Sequence, residues 1–475
     1  MSVRFFLHNS LLLIHNLSVP ISPAREAAYR ILCRVESGRD YAVDLLQSPQ
    51  ISSLKEMDRR LVTEIVMGTL RRRGEIEHWL IKLSGKKLSY FDHEIATILR
   101  LSLYQILFLE RIPKSAVVNE AVELAKAARK RSATGVVNAV LRKAEPLHER
   151  AQAETRTDPP SSPDAARSGG AAHSLPAWLQ ERWSRHFGHE AMESLARASL
   201  RVPPTTLRVA GGARERTKIQ EQLNEQGIVT QPGRYSAQAL VVQSVESGNV
   251  QSSPVIRERR VVIQDEASQL VASLVAPKPG ERVLDLCAAP GIKAGQLADA
   301  LGAGLMIACD LSARRLDTLR RLLPKMIPAD LNVHLVRLDA ARALPFGIAF
   351  HRILLDAPCS GTGTLARNPE IKWRLEPKDL PRLADLQVRI LQNALTAIEP
   401  GGRAVYSTCS LEPEENEQVI ERVLHAINGF RLLPASELSR EFPSLSPLFN
   451  FQGFFHTRPD LHGMDGFFAA VIQRE

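Results

Sequence analysis

Cysteine is scarce and scattered. The 475-residue chain has five, Cys33, Cys287, Cys309, Cys359 and Cys409, an odd number with no two at short spacing. That excludes a disulfide framework and a cysteine-built structural zinc site. It points to a reducing cytoplasm, where individual thiols can do chemistry. His456 and His462 have no metal-ligand spacing with other candidates, so no metal is expected. No uninterrupted apolar run approaches the roughly 18–20 residues needed to span a bilayer, so no membrane partner is expected either. Residues 5–19 come nearest, but His8, Asn9, Ser10, His15 and Asn16 break the run and no small-residue cleavage site follows cleanly. Residues 1–23 are therefore an unassigned extension. Both glycine signatures of nucleotide enzymes, G-x-G-x-x-G and G-x-x-x-x-G-K-[ST], are missing, which disfavours a dehydrogenase or an NTPase.

What is present is ordinary for a soluble protein in bulk, with 44% hydrophobic and 24% charged residues. The length exceeds one ordinary core, so two or three domains are expected. The net charge is +9, and residues 24–150 hold 23 Lys and Arg against 16 Asp and Glu. An excess concentrated in the N-terminal third suits a polyanionic partner such as nucleic acid, the bland alternative being a solvated helical surface.

Residues 24–150 show helical periodicity throughout. Ala28, Ile31, Leu32 and Val35 share one face; Leu61, Ile65, Val66 and Leu70 form a second stripe; Ile95, Ile98, Leu99, Leu103 and Ile106 form a third. Breaks fall at Ser37-Gly38, Ser84-Gly85 and Ile112-Pro113, and basic clusters at Arg71–Arg73, Lys86-Lys87 and Arg129–Arg131. Residues 151–175 are rich in Ala, Ser, Pro, Gly and Asp and predict a flexible linker. Residues 176–260 mix helical stretches (190–198, 216–225) with short strands (206–209, 239–242), a small α+β module. From Val261 to Glu475 strands alternate with amphipathic helices, the pattern of a doubly wound α/β sheet. Strands are expected at 282–286, 305–309, 333–338, 352–355, 403–406 and 467–472, and helices at 312–325, 380–398 and 413–427. Ligands of such sheets bind at the carboxyl ends of strands.

Those ends carry the candidate residues. The first loop, Asp285-Leu-Cys-Ala-Ala-Pro-Gly-Ile-Lys293, is a small-residue turn leading into a helix, suited to close approach of a cofactor. Asp310 ends the second strand, where an acid can accept two ribose hydroxyls, and Asp339 ends the third, where an adenine would lie. A lone Asp at a strand end is usually a helix cap; three around a glycine turn favour an adenosyl cofactor. The fourth loop, Asp356-Ala-Pro-Cys-Ser-Gly-Thr-Gly363, and the fifth, Tyr406-Ser-Thr-Cys409-Ser, each carry a thiol in a polar turn. If the two strands are neighbours, about 4.8 Å apart, both thiols can face one pocket. Cys33 and Cys309 sit in apolar stretches and read as small buried hydrophobes.

DLCAAPGIK, DAPCSGTG, NPEIKW and YSTCS, in this order, resemble the RNA cytosine carbon-5 methyltransferase family. AVVNEAVELAK, GVVNAVLRK and LRLSLYQILFLERIP resemble the NusB-like helical domain fused to its bacterial 16S ribosomal RNA branch, the RsmB/Sun/Fmu family. The likeness runs from residue 24 to 475. It departs where Ile292 replaces a second glycine, where Ala210 replaces an asparagine, and in the linker and the first 22 residues.

The resemblance implies three parts: a NusB-like RNA-binding domain, a small RRM- or ferredoxin-like module and a Rossmann-like methyltransferase domain using S-adenosyl-L-methionine. Its cofactor residues would be Asp285, Cys287, Ala288, Ala289, Pro290, Gly291, Ile292, Lys293, Asp310, Asp339 and Asp356. Its catalytic residues would be Cys409 as nucleophile, Cys359 for release and Asp356 against the cytosine ring nitrogen 3 edge. The residues alone leave the two cysteines' roles open, because DNA cytosine enzymes use a Pro-Cys thiol, here Cys359. Lys293 suits the cofactor carboxylate or a substrate phosphate, or simply starts a helix; Lys372 and Trp373 suit the target strand or the core equally. The expected partner is 16S ribosomal RNA, free or partly assembled, met by a monomer in the cytoplasm. Transfer RNA as substrate, or a non-catalytic antitermination-type RNA-binding role, are the alternatives.

Overall fold

The fold is that of a computed structural model, which describes residues 20–38, 40–147, 174–245, 250–258, 260–323 and 327–475. The linker expected at 151–175 and most of the extension at 1–23 lie outside the described residues. The chain divides into two compact units, residues 1–174 and 175–475.

The first unit is helical. Helix His93–Phe108 is buried from Ile95 to Leu107 without interruption. A helix buried on every side sits at the centre of its bundle. It packs against Pro23–Glu36, Glu56–Arg71, Arg73–Ser84, Lys114–Ala127 and Thr134–Ala144. Gly68 lets it approach closely, since a Cβ there would fall 1.9 Å from the Tyr104 ring. Several polar groups on the central helix are paired, although the Ser102 hydroxyl has no partner among the described residues. Arg100 meets Glu36 at 3.0 Å and Glu77 at 2.7 Å. Gln105 accepts from Arg25, whose guanidinium lies 2.5 Å from Glu120. Part of the basic surface is consumed in the same way, Arg72 and Arg73 by Glu75 and Glu77 and Lys130 by Asp92. Arg25 and Glu120 are both nearly buried, so truncating one strands the other's charge. Glu120→Ala should cost about 3 kcal/mol in chemical denaturation of the full chain followed by helical signal, and Glu120→Gln clearly less.

The second unit opens with helices Ala177–Phe187 and His189–Leu200. An antiparallel sheet follows, of β1 (Thr206–Val209), β2 (Ile228–Pro232), β3 (Ala239–Val245) and β4 (Val261–Ile263), in the order β2-β3-β1-β4. Helix Gly212–Glu225 packs against it through Ile219 and Leu223. β4 lies beyond residue 260, yet it pairs with β1, Val209 opposite Val261. The small sheet thus takes two strands more, β2 and β4, than the sequence pattern assigned it. A three-residue apolar run has no periodicity to say which sheet it joins.

The large sheet comprises β5 (Arg282–Asp285), β6 (Gly304–Asp310), β7 (Leu331–Arg337), β8 (Phe350–Asp356), β9 (Ile398–Thr408), β10 (Phe430–Leu432), β11 (Phe455–His456) and β12 (Phe468–Arg474). The order is β10-β12-β9-β8-β5-β6-β7, with β11 on β12. The strands β7-β6-β5-β8-β9 are parallel, and β12 and β10 are antiparallel additions. The order of winding reverses between β6 and β8, on either side of β5, and such a switch point opens a crevice at the carboxyl ends. Helix Ala313–Leu322 is capped by Ser312, which accepts from the Arg315 amide. Instead of one helix at 413–427, a 3₁₀ turn at Pro413–Glu415 precedes helix Glu417–Ala426. Asn416 makes the break: its side chain accepts from Thr408 and donates to the Ser410 carbonyl, which pulls the backbone out of helical register.

Candidate active site

Asp285 ends β5 and is almost wholly buried, and neither carboxylate oxygen has a hydrogen-bond partner among the described residues. Burial first, and then the charge of Asp356, push its carboxyl up to about 8, against a smaller pull from Lys293. The next residues turn sharply. Ala289-Pro290 is a cis peptide and Gly291 has φ 110°, a conformation that favours glycine; helix Ile292–Leu301 starts there. The Ala288 amide donates to the Cys309 carbonyl at 2.8 Å, and the Arg315 guanidinium donates to the Ala289 carbonyl. Ala288 and Ala289 are buried, Cys287, Ile292 and Lys293 partly so, and Pro290 is exposed. The Cys287 thiol is raised by burial and by Asp285 and Asp310, so it is not a nucleophile in this setting.

Asp310, buried at the end of β6, accepts from the Ser312 amide at 2.9 Å and faces Arg315 at 3.7 Å. Asp339 stands apart: half-exposed, it accepts from the Ala341 amide and meets Arg342 at 3.3 Å. Its contacts are those of a local turn.

β8 and β9 are parallel neighbours with Asp356 opposite Ser407, so the two cysteine loops emerge side by side. The Cys359 and Cys409 sulfurs lie 3.3 Å apart, both partly exposed. Asp356 accepts from Lys293 at 2.7 Å and from Ser407 at 3.0 Å. Lys293 also lies 4.9 Å from the centre of the Phe467 ring. Burial alone would lower the lysine, but Asp356, Cys409 and Asp285 outweigh it and hold the ammonium charged. The Cys359 thiol is raised well above its usual value, first by its hydrogen bond to Cys409, then by burial, then by the charges of Cys409, Glu415 and Asp356.

Other groups at the strand ends were not singled out in the sequence. Gly363 donates to the Cys409 carbonyl and accepts from the Gly466 amide, and a Cβ on it would strike the Gly466 carbonyl at 2.1 Å. Arg367, just beyond, bridges Asp465 at 2.9 Å and Asp265 at 2.7 Å. Burial and Asp265 raise Asp465 to about 7 despite Arg367. Lys372 is buried 3.5 Å from Ser199, while Trp373 is only partly covered. Cys309 is inside β6 with its thiol pushed up to about 12 by burial and Asp285, as befits a core residue.

Buried carboxylates ending successive parallel strands beside a switch point, with a thiol pair on the adjoining loops, define a methyltransferase of the doubly wound class. The 16S rRNA methyltransferase RsmB/F model matches residues 272–473, the NusB family model residues 22–146, and the ferredoxin-like domain model of RsmF/B-like methyltransferases residues 175–247. The chain is 36% identical to ribosomal RNA small subunit methyltransferase B of Pseudomonas putida over 94% of its own length and 98% of that protein's. It is 31% identical to the probable methyltransferase B of Bacillus subtilis, over 95% and 98%. A solved methyltransferase homologue from Pyrococcus horikoshii is 29% identical, with TM-score 0.52, over 63% of this chain and all of that one. The chain belongs to the RsmB/F family of 16S rRNA methyltransferases.

Proposed function

We propose that the chain methylates carbon 5 of a cytosine in 16S ribosomal RNA through a covalent adduct on Cys409, with S-adenosyl-L-methionine as methyl donor. The observation that carries this reading is the thiol pair, 3.3 Å apart, beside the Lys293–Asp356 ion pair. Carbon 5 of cytosine is a weak nucleophile, and a thiolate added at carbon 6 makes it enamine-like. Two features separate the thiols. Lys293 places its positive charge where Cys409 feels it, whereas Glu415 and Asp356 disfavour a thiolate on Cys359. Cys409 is read as the thiol that adds to carbon 6, its proton passing to solvent, and Cys359 lies within hydrogen-bond reach of it. Once Cys409 is bonded to carbon 6, the largest cause raising Cys359 is gone. Cys359, once its own proton has passed to solvent, takes the carbon 5 proton as a thiolate; the electron pair of that C–H bond re-forms the 5,6 double bond and Cys409 leaves as thiolate. Asp356 holds the nitrogen 3 edge of the base.

S-adenosyl-L-methionine would supply an electrophilic methyl at the first loop. The unpartnered oxygens of buried Asp285, the buried Asp310 and the backbone of Cys287–Lys293 at a helix start fit its polar and charged parts. Asp339 would lie at the outer edge. The helical unit would grip phosphates without sequence preference, an affinity that falls as salt rises. The parts would then be a helical RNA-binding domain at 24–150, the α+β module at 176–260 extended by β4, and the methyltransferase domain from there to 475, acting as a cytoplasmic monomer. The test is transfer of labelled methyl groups to unmodified 16S RNA and to transfer RNA, with mapping of the product base. A single 5-methylcytosine in 16S RNA supports the reading, and transfer to transfer RNA alone overturns its substrate.

Asp285 also gives a pH-dependent expectation. Its folded value of about 8 lies above the ordinary 3.8, so folding favours the protonated form. Its effect on stability is therefore harmless below about pH 4 and increasingly unfavourable from there to about pH 8. Asp285→Asn should raise the melting temperature by about 2–4 °C at pH 8 and hardly at pH 4. Titrated with S-adenosylhomocysteine, the same variant should bind about ten- to a hundredfold more weakly.

A further inference from the structure

Behind the two thiols lies a carboxylate whose charge bears on Cys359 but whose contacts the mechanism does not use. Glu415 is fully buried in the 3₁₀ turn that follows β9. One of its oxygens accepts from the Ser360 amide and the Gln387 side-chain amide, each at 2.9 Å. The other accepts from the Ser410 hydroxyl at 2.5 Å and from the Ser360 hydroxyl. Ser360 follows Cys359 and Ser410 follows Cys409. The loops of both thiols therefore end on one side chain.

The proton inventory is consistent. Ser410 accepts from the Glu412 amide at 3.0 Å and touches the Thr362 hydroxyl at 3.4 Å, so its own proton is free for Glu415. Thr362 in turn accepts from the Leu411 amide at 2.9 Å. Four donors on two oxygens fill a carboxylate's acceptor capacity, and no neutral isostere accepts all four. The carboxylate is itself braced. Its own backbone carbonyl accepts from the Tyr406 hydroxyl at 2.5 Å, and Asn416 beside it is tied to Thr408 and to the Ser410 carbonyl. Gln387 also donates to the Pro358 carbonyl at 2.9 Å, so the same amide steadies the residue before Cys359.

We infer that Glu415 is a positioning residue which holds Cys359 and Cys409 in register by clamping the serine after each of them. It touches neither sulfur through a hydrogen bond; it acts through Ser360 and Ser410. Its contribution to turnover rests on the reading that both thiols serve the methyl transfer. Its geometric effect does not, and can be measured without RNA. Diamide, a thiol oxidant, converts two adjacent thiols to one disulfide: it takes up both electrons and both protons as it becomes the hydrazine. The rate at which Cys359 and Cys409 are lost together, taken relative to the rate at which a monofunctional alkylating agent removes either one, and followed by mass spectrometry of the full-length protein, reports how often their sulfurs meet.

The variant is Glu415→Gln, whose amide nitrogen faces donors it cannot accept. The expected result is a paired-thiol oxidation rate and a kcat each about ten- to a hundredfold lower, because a misplacement near 1 Å is enough for that. The KM for RNA and the affinity for S-adenosylhomocysteine should stay close to native, while the melting temperature falls by a few degrees as buried donors lose their acceptor. Unchanged thiol pairing in folded Glu415→Gln overturns the inference whatever happens to turnover. So does a loss of cofactor affinity that matches the loss of pairing, which marks a structural group only. If pairing slows while neither native chain nor variant transfers methyl groups to RNA, the clamp stands and the functional reading fails. Should Glu415→Gln not fold, Ser360→Ala and Ser410→Ala remove one loop's tie each and are read by the same two rates. Native pairing in both would overturn the clamp.

Discussion

Cys409→Ala is expected to lower methyl transfer by about 10⁴-fold or more, the loss typical of a deleted nucleophile. Cys359→Ala should instead stall after addition. Without it the carbon 5 proton has no acceptor at the right place and the bond to Cys409 does not break. The two variants thus fail on opposite sides of the adduct, and a denaturing gel separates them. Cys359→Ala incubated with RNA and S-adenosyl-L-methionine should show a slowly migrating protein–RNA band. Cys409→Ala and the double variant should show none. The 3.3 Å separation makes the experiment sharp, because either thiol can reach a base that the other touches. A shifted band with Cys409→Ala and none with Cys359→Ala would reverse the roles and give this chain the Pro-Cys chemistry of the DNA enzymes.

The large sheet was legible in the sequence because its strands are short apolar runs that end on Asp or on a glycine turn, each followed by an amphipathic helix. Both cysteine loops, the three aspartates and the position of Lys293 could be placed from that alternation. The helical unit was legible for a related reason, since its stripes repeat at helical spacing over whole helices. The misses share a cause. β4 is three residues long and carries no period. The break at Asn416 comes from side-chain hydrogen bonds to residues 6 and 8 positions earlier, which no local propensity reports. Glu415 was invisible as a site residue for the same reason. In sequence it is one acid in the run Glu412-Pro-Glu-Glu-Asn, and its burial becomes apparent only when β8 and β9 stand side by side. Asp339 illustrates the converse: expected at the end of the third strand, it lies two residues beyond β7, where the chain uses it as a turn acceptor.

The second large effect is expected at Asp356. Asp356→Asn keeps the shape of the site, because an amide oxygen can still accept from Lys293 and the amide nitrogen can turn toward Ser407. What it loses is charge. The nitrogen 3 edge of the base no longer meets a carboxylate whose charge steadies a proton gained there as the thiol adds, and the partly buried Lys293 loses its counter-ion. Loss of a positioned acid–base group costs about 10²–10⁴-fold in turnover. The loss should lie in kcat, with RNA binding nearly unchanged. Ser407→Ala, which removes only a donor to the same carboxylate, should cost far less, and the contrast separates chemistry from packing. A further consequence reaches Asp285. The Asp356 charge is the second-largest cause holding that carboxyl at about 8. In Asp356→Asn it should ionise at lower pH, so the unfavourable effect of Asp285 on stability between about pH 4 and pH 8 should shrink. Melting curves across that range check this without substrate. Full activity in Asp356→Asn would remove the aspartate from the reaction and leave it only as the partner of Lys293. An unchanged pH dependence of melting would show that the two carboxylates do not feel each other across the β5–β8 pair.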